Sequence, residues 1–246
     1  MRKGTREMEP QILREFESLL GRKFPDRAAL LDESCDRTIL MNPTRLKLFT
    51  FLCFYPCSNF NRLCGELGLK PPNALWHLRR LNGNRFIEKR NIGRKTAYMP
   101  AGMVAADDVG LFALLNSTGN NVRDVVSLLQ ESPGCCATDV SLRLGCSFQT
   151  ALRVLQRMKK AGMIRSMRDG RFKRYYIAKR LLGRHGFYRK REKSFRSSLL
   201  QKIRVDGLAP EIVRIHGGRM ALRLASGREK DVVTFNLNPM EPALRG

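Results

Sequence analysis

The chain offers little material for catalysis or metal binding. It has three histidines, His77, His185 and His216, and one tryptophan. No His-Glu-x-x-His frame, phosphate-cradling glycine loop, nucleophile elbow or recognisable carboxylate pair occurs, so no enzyme is expected. No apolar run approaches the ~18 residues of a membrane span. The basic N-terminus lacks the apolar core of a secretion signal, so a cytoplasmic, nucleoid-associated chain is expected. The seven cysteines are odd in number, form no Cys-x-x-Cys pair and fit a reducing compartment. Acidic residues are scarce where they would be needed to hold two metal ions.

What is abundant is positive charge. Lys and Arg number 46 against 22 Asp and Glu, a net of +24. Residues 1–40 carry eight of each sign and are neutral, whereas residues 41–104 carry eleven basic and two acidic groups. Residues 105–160 carry six and five, residues 161–204 carry fifteen and two, and the remainder carries six and five. Solubility needs only modest, mixed charge. Two separate concentrations of cation point instead to a polyanionic partner, with nucleic acid the commonest.

The chain also repeats itself once, at a spacing of 77 residues: Leu52 matches Leu129, Pro56 matches Pro133, and Leu67-Gly68 matches Leu144-Gly145. The match runs on through Ala74 and Ala151, Leu75 and Leu152, Leu78 and Leu155, Arg80 and Arg157, and Ile87 and Ile164. It reaches Gly93-Arg94 and Gly170-Arg171, then ends at Tyr98 and Tyr175. Solenoid units run to roughly 20–50 residues, so a longer period is one small domain used twice.

Each copy reads the same way. In the first, Asn42-Pro43 opens a helix with Leu46, Leu48, Phe49, Leu52 and Cys53 on its buried side, stopped at Pro56. A short helix covers Asn59 to Leu67, with Gly68 as a left-handed cap. A third helix runs from Pro71 to Leu81, with Ala74, Leu78 and Leu81 inward and His77 ambiguous. A hairpin follows, Ile87–Asn91 and Lys95–Met99 about Gly93. In the second copy the helices are 121–131, 137–144 and 147–161, with Ser147 as N-cap. Asp169-Gly170 turns the hairpin Ile164–Met167 and Arg171–Ile177, where one of Tyr175 and Tyr176 faces the core.

Around the copies, Met8–Leu20 reads as an amphipathic helix through Ile12, Phe16, Leu19 and Leu20, packing on the first domain or forming a homodimer. Pro100–Asn116 gives a linking helix through Val109, Leu111, Phe112 and Leu115. A basic run covers Lys179–Lys193. Three short strands, Ile212–Ile215, Met220–Leu224 and Val232–Leu237, form a meander, and the last nine residues are loose.

Helix, short helix, longer helix and basic hairpin make a winged helix-turn-helix. Asn42-Pro43-Thr44-Arg45-Leu46-Lys47-Leu48-Phe49 with Leu75-Trp76-His77-Leu78-Arg79-Arg80-Leu81 resembles the ArsR-type regulators. Thr150 to Met158, with Gly162-Met163-Ile164, resembles the wider MarR-like and archaeal-type winged helices. The expected fold is α+β: two tandem winged helix-turn-helix domains, an N-terminal helix and a small C-terminal antiparallel β segment. The expected division is an extension over 1–38, a first domain over 39–104, a linker helix over 105–118, a second domain over 119–180, a basic helix or linker over 181–204 and a β-rich tail over 205–246.

A helix fits the major groove, about 12 Å wide, where Arg reads guanine and Asn or Gln reads adenine. The outward candidates are Asn73, Trp76, Arg79 and Arg80 on one third helix, and Gln149, Thr150, Arg153, Gln156 and Arg157 on the other. The hairpins supply Lys89, Arg90, Arg94 and Lys95, then Arg165, Arg168, Arg171, Lys173 and Arg174, for phosphate or minor-groove contact. The run 179–193 would add backbone contacts. These features imply a sequence-specific, double-stranded DNA-binding regulator of a prokaryote, reading a non-palindromic site. The alternatives are a sequence-indifferent architectural protein and a docking subunit of a transcription or replication complex. No cofactor is expected. Cys53, Cys57 and Cys64 read as structural rather than metal-binding, and Cys135-Cys136 is a weak redox candidate.

Overall fold

Asn42 caps the first helix as its chemistry dictates. Its side chain accepts from the Arg45 amide at 3.1 Å, and Pro43 takes the first turn, where a missing N–H costs nothing. In this computed structural model, which describes residues 38–117, 121–226 and 229–240, that helix is α1 (Pro43–Phe54). After it come β1 (Ser58–Asn59), α2 (Phe60–Leu67), α3 (Pro71–Gly83), β2 (Ile87–Ile92) and β3 (Lys95–Pro100). A 3₁₀ turn (Ala106–Asp108) and α4 (Val109–Leu115) connect to α5 (Val122–Glu131), α6 (Ala137–Arg143), α7 (Phe148–Lys160), β4 (Ile164–Asp169) and β5 (Phe172–Ile177). Then follow α8 (Lys179–Val205), β6 (Ala209–His216), β7 (Arg219–Ser226) and β8 (Glu229–Asn236). Among the described residues the protein is thus mixed helix and strand, with three small antiparallel sheets.

The repeat is conformational as well as compositional. Gly68 and Gly145 both adopt the left-handed backbone that ends the second helix of each unit, at φ 62 and φ 59. The hairpins share one register, Ile87 to Pro100 through Ile92 to Lys95, and Ile164 to Ile177 through Asp169 to Phe172. A third strand went unpredicted: β1 pairs with β3 through Ser58 and Tyr98. The second unit keeps this link as two backbone hydrogen bonds, Gly134 N to Tyr175 O and Tyr175 N to Cys135 O, both 3.0 Å. Two residues in β1 were too few to leave a period-two signal.

Several expectations change outside the repeats. The basic run lies within one long helix, α8, which reaches Val205 with Leu181, Tyr188, Phe195, Leu199 and Ile203 as a thin buried stripe among the cations. The linking helix is shorter than Pro100–Asn116, and its expected apolar residues are all buried. The meander exists, with longer strands, and it packs on the first unit. Phe49 of α1 meets Phe235 of β8 at 5.7 Å and Phe86 at 5.6 Å, and Asn236 Nδ2 donates to Cys53 O at 3.1 Å. The described part of the expected loose end is packed: Asn238 donates to Glu192 of α8, and Met240 is fully buried. The amphipathic helix expected over Met8–Leu20 lies outside the described residues.

Helix α8 therefore carries the chain from the second unit back to the first. Tyr188 donates to Asp108 Oδ2 at 2.8 Å and accepts from the Ala105 amide at 3.1 Å. Arg184 lies 3.0 Å from Asp108 Oδ1, off the hydrogen-bond direction, so charge rather than a directed bond holds it. At the far end, Asp206 accepts from the amides of Ile39 and Leu40. A second brace joins the units through the connector. Arg62 donates to the Asn116 carbonyl, Arg123 donates to the Asn116 side chain, and both guanidiniums cover Tyr55 at 4.8 and 5.1 Å.

Candidate nucleic-acid interface

The third helix of each unit turns one face inward. On α7 Ala151, Val154, Leu155 and Met158 are buried, which leaves Gln149, Arg153 and Gln156 on the opposite side. Ser147 starts this helix by accepting from the Thr150 amide at 3.2 Å. On α3 the buried set is Ala74, His77, Leu78 and Leu81, and Trp76 and Arg79 face outward with Asn73 and Arg80 at the flanks. His77 belongs to the core. Trp76 is half-exposed, touches His77 edge-on, and has the guanidiniums of Arg45 and Arg80 each 5.8 Å from its ring. Arg45 itself is fully buried and donates to Ile39 O at 2.6 Å, so it anchors the start of the unit rather than its surface.

Each hairpin lies beside its helix. Burial pushes the Tyr98 phenol up, and the Arg79 guanidinium opposes that shift, which puts Arg79 near the base of the first hairpin. Lys89, Arg90, Arg94 and Lys95 are all exposed there, with Arg90 weakly paired to Glu88 at 3.4 Å. In the second hairpin Arg165, Arg168, Arg171 and Lys173 are exposed, and Arg165 lies over Tyr176. Tyr175 is the core tyrosine.

Two expected site residues are placed differently. Arg174 is bound at 2.6 Å to Asp169 and donates to the Gly134 carbonyl at 3.2 Å, so it stiffens the hairpin instead of extending from it. Arg157 lines a cleft of about 430 Å³ between α7 and the connector, together with Asp107, Asp108, Lys160 and Arg180. Lys202 of α8 lies close enough to Glu88 and Arg85 of the first unit to feel both. Lys159 and Lys160, both exposed in the last turn of α7, and the exposed Met167 and Phe172 of the second hairpin join the surface beyond the residues expected from sequence.

The cysteines are quiet. Burial pushes the thiols of Cys53 and Cys57 up, so both are protonated at neutral pH. Cys57 lies 3.7 Å from the sulfur of Met99, and Cys135 donates to the Ser132 carbonyl at 3.1 Å. Among the described residues no group of three or more His, Cys, Asp or Glu stands close enough to hold a metal ion. No described helix is long and apolar enough to cross a membrane.

No family model matches the chain. Over 159 residues it is 26% identical to an uncharacterized HTH-type transcriptional regulator of Methanocaldococcus jannaschii, covering 65% of this chain and 39% of that protein. The chain thus spans well under half of that relative's length. Among solved structures, the mRNA-binding domain of elongation factor SelB from E. coli, in complex with SECIS RNA, aligns at 17% identity, over 55% of this chain and 97% of its own, with a TM-score of 0.23. A Corynebacterium diphtheriae protein aligns at 14% identity over 56% of this chain and 27% of its own, also at 0.23.

Proposed function

We propose that the protein is a sequence-specific, double-stranded DNA-binding regulator, with two winged helix-turn-helix domains, over 39–104 and 119–180, held in tandem by the connector and α8. The observation that carries this reading is the doubled surface. In both units an exposed polar and basic helix face stands beside an exposed cationic hairpin, α3 with Lys89, Arg90, Arg94 and Lys95, and α7 with Arg165, Arg168, Arg171 and Lys173. The helices would enter successive major grooves and the hairpins would hold phosphates or the minor groove. The Methanocaldococcus jannaschii relative, an uncharacterized HTH-type transcriptional regulator, supports the same reading, which assigns this chain no catalytic activity.

The two faces differ, Trp76 and Arg79 against Arg153 and Gln156, so the site would be asymmetric. A second unit on the same chain binds at high effective concentration. Selection from a random duplex pool at near-physiological salt tests this. The expected result is two unlike sequence blocks about one helical turn apart, with specific binding at least ~10³-fold tighter than non-specific. Retention without a motif would replace the regulator with an architectural protein. No retention would overturn DNA binding.

A further inference from the structure

The two hairpins are equivalent by the repeat, yet their tips differ in kind. Arg90 and Lys95 of the first correspond to Met167 and Phe172 of the second. Met167 is 51% exposed and Phe172 is 45% exposed. Leaving two large apolar side chains at the end of a projecting hairpin works against the hydrophobic effect unless something covers them.

The register says what surrounds them. Met167 stands opposite Arg174 and Asp169 opposite Phe172, so all four share one face, with buried Tyr175 on the other. The Arg174–Asp169 ion pair crosses one diagonal of that face and cancels charge at its centre. Met167 and Phe172 take the other diagonal. Arg165 shares this face, Arg168 and Lys173 stand on the opposite one, and Arg171 sits at the turn with its guanidinium 5.0 Å from the Phe172 ring centre. An apolar pair at a hairpin tip with cations on both faces of the hairpin is complementary to a base-pair step between two phosphate rows. Apolar wedges of this kind enter the minor groove, partly unstack a step and kink the duplex.

We infer that the tip of the second hairpin is such a wedge, with Phe172 and Met167 pressed against one base step and the cations on the two hairpin faces reaching the flanking phosphates. This rests on the DNA-binding reading above. Pyrimidine–purine steps unstack most cheaply, so a TA or CA step is favoured under this tip. The first hairpin carries charges at the matching positions, so it grips without wedging and the kink lies at one end of the site.

The test uses the full chain and a duplex of ~30 base pairs, about the length of a protein-bent site, with 2-aminopurine replacing adenine at successive steps. Dyes at the ends report bending. Wild type should raise 2-aminopurine fluorescence at one pyrimidine–purine step and bring the ends closer. Phe172→Ala with Met167→Ala should abolish both signals and weaken binding about tenfold, with the salt slope unchanged because no phosphate contact is lost. Lys173→Ala should keep the fluorescence and lower the slope by about one. Both apolar side chains are exposed, so the fold should survive, and Phe172→Leu should retain the wedge. A double alanine variant that still unstacks and bends the duplex would overturn the inference and leave DNA binding intact. Failure of the wild type to bind any duplex would overturn both.

Discussion

At the scale of single residues, cations on a helix face and cations at a hairpin turn suit different contacts. Arg153 projects from the centre of the outer face of α7 and suits a bidentate contact with guanine, whereas Arg94 sits at a hairpin turn and suits phosphate. Arg153→Ala is expected to cost about 1–3 kcal/mol on the selected site and to relax preference at one base pair. Arg94→Ala should weaken binding equally on all sequences and lower the salt slope by about one. Titrating both variants against selected and scrambled duplexes at two salt concentrations separates the two roles, and identical behaviour would defeat the assignment. The backbone makes a second comparison. Arg85 holds a left-handed conformation at φ 58, where the repeat supplies Gly162 at φ 69. Such a backbone costs an L-residue roughly 1–2 kcal/mol, partly offset because glycine loses more freedom on folding. Arg85→Gly should therefore stabilise the protein by up to about 1 kcal/mol in urea denaturation. A loss of stability would mean that the Arg85 side chain contributes more than its backbone costs.

At the scale of elements, the boundaries that sequence could show were those set by local chemistry. Asn42, Asn59 and Ser147 accept from amides three residues on, and Gly68 and Gly145 turn left-handed, so helix starts and stops followed from residue type. Elements set by distant packing were hidden. Strand β1 exists because Ser58 and Asn59 meet β3, and α8 reaches Val205 because five apolar residues along it are buried, Tyr188 among them against Phe112 of the connector. The site was legible in the same uneven way. The outward positions of α3 and α7 followed from helical period, but the pairing of Arg174 with Asp169 and the burial of Arg45 and Arg62 depend on neighbours that a linear pattern cannot show. At the start of α6, Asp139 accepts from the Cys136 amide at 2.8 Å, and this bond holds its carboxyl below the ordinary range. A depressed carboxyl stabilises the fold above its unfolded pKa, near 4, and loses that contribution as pH falls through the folded value. Asp139→Ala should cost about 1 kcal/mol at neutral pH, with the gap to wild type closing below pH ~4 in acid-series denaturation. A gap that persists at pH ~2 would assign the cost to something other than the carboxylate.

At the scale of the whole molecule, the two units are not beads on a string. Helix α8 is bonded to the connector through Tyr188, to the turn at Gly102 through Arg191, and to the entry of the first unit through Asp206. The C-terminal sheet then completes the core of the first unit, across most of the chain in sequence. Met220, Leu222, Leu224, Val233, Phe235 and Leu237 are all buried, and Phe235 reaches Phe49 of α1. Burying one such side chain is worth about 1.5–3 kcal/mol. Six of them are therefore comparable with the roughly 5–15 kcal/mol that keeps a domain folded. Ending the chain after Leu208 should accordingly loosen the first unit while sparing the second, whose core is built from Val125, Val126, Leu129, Leu155 and Met158. Hydrogen exchange can read the two separately. Amides of α1 to β3 should exchange about 100-fold faster or more in the truncated chain, the effect of losing ~3 kcal/mol of local stability, while those of α5 to β5 keep their protection. The same truncation should leave DNA contact by α7 and its hairpin but reduce the selected motif to a single block, because only one reading head would remain ordered. Unchanged protection in the first unit would show that its own helices suffice and that the sheet is an attachment rather than part of the core.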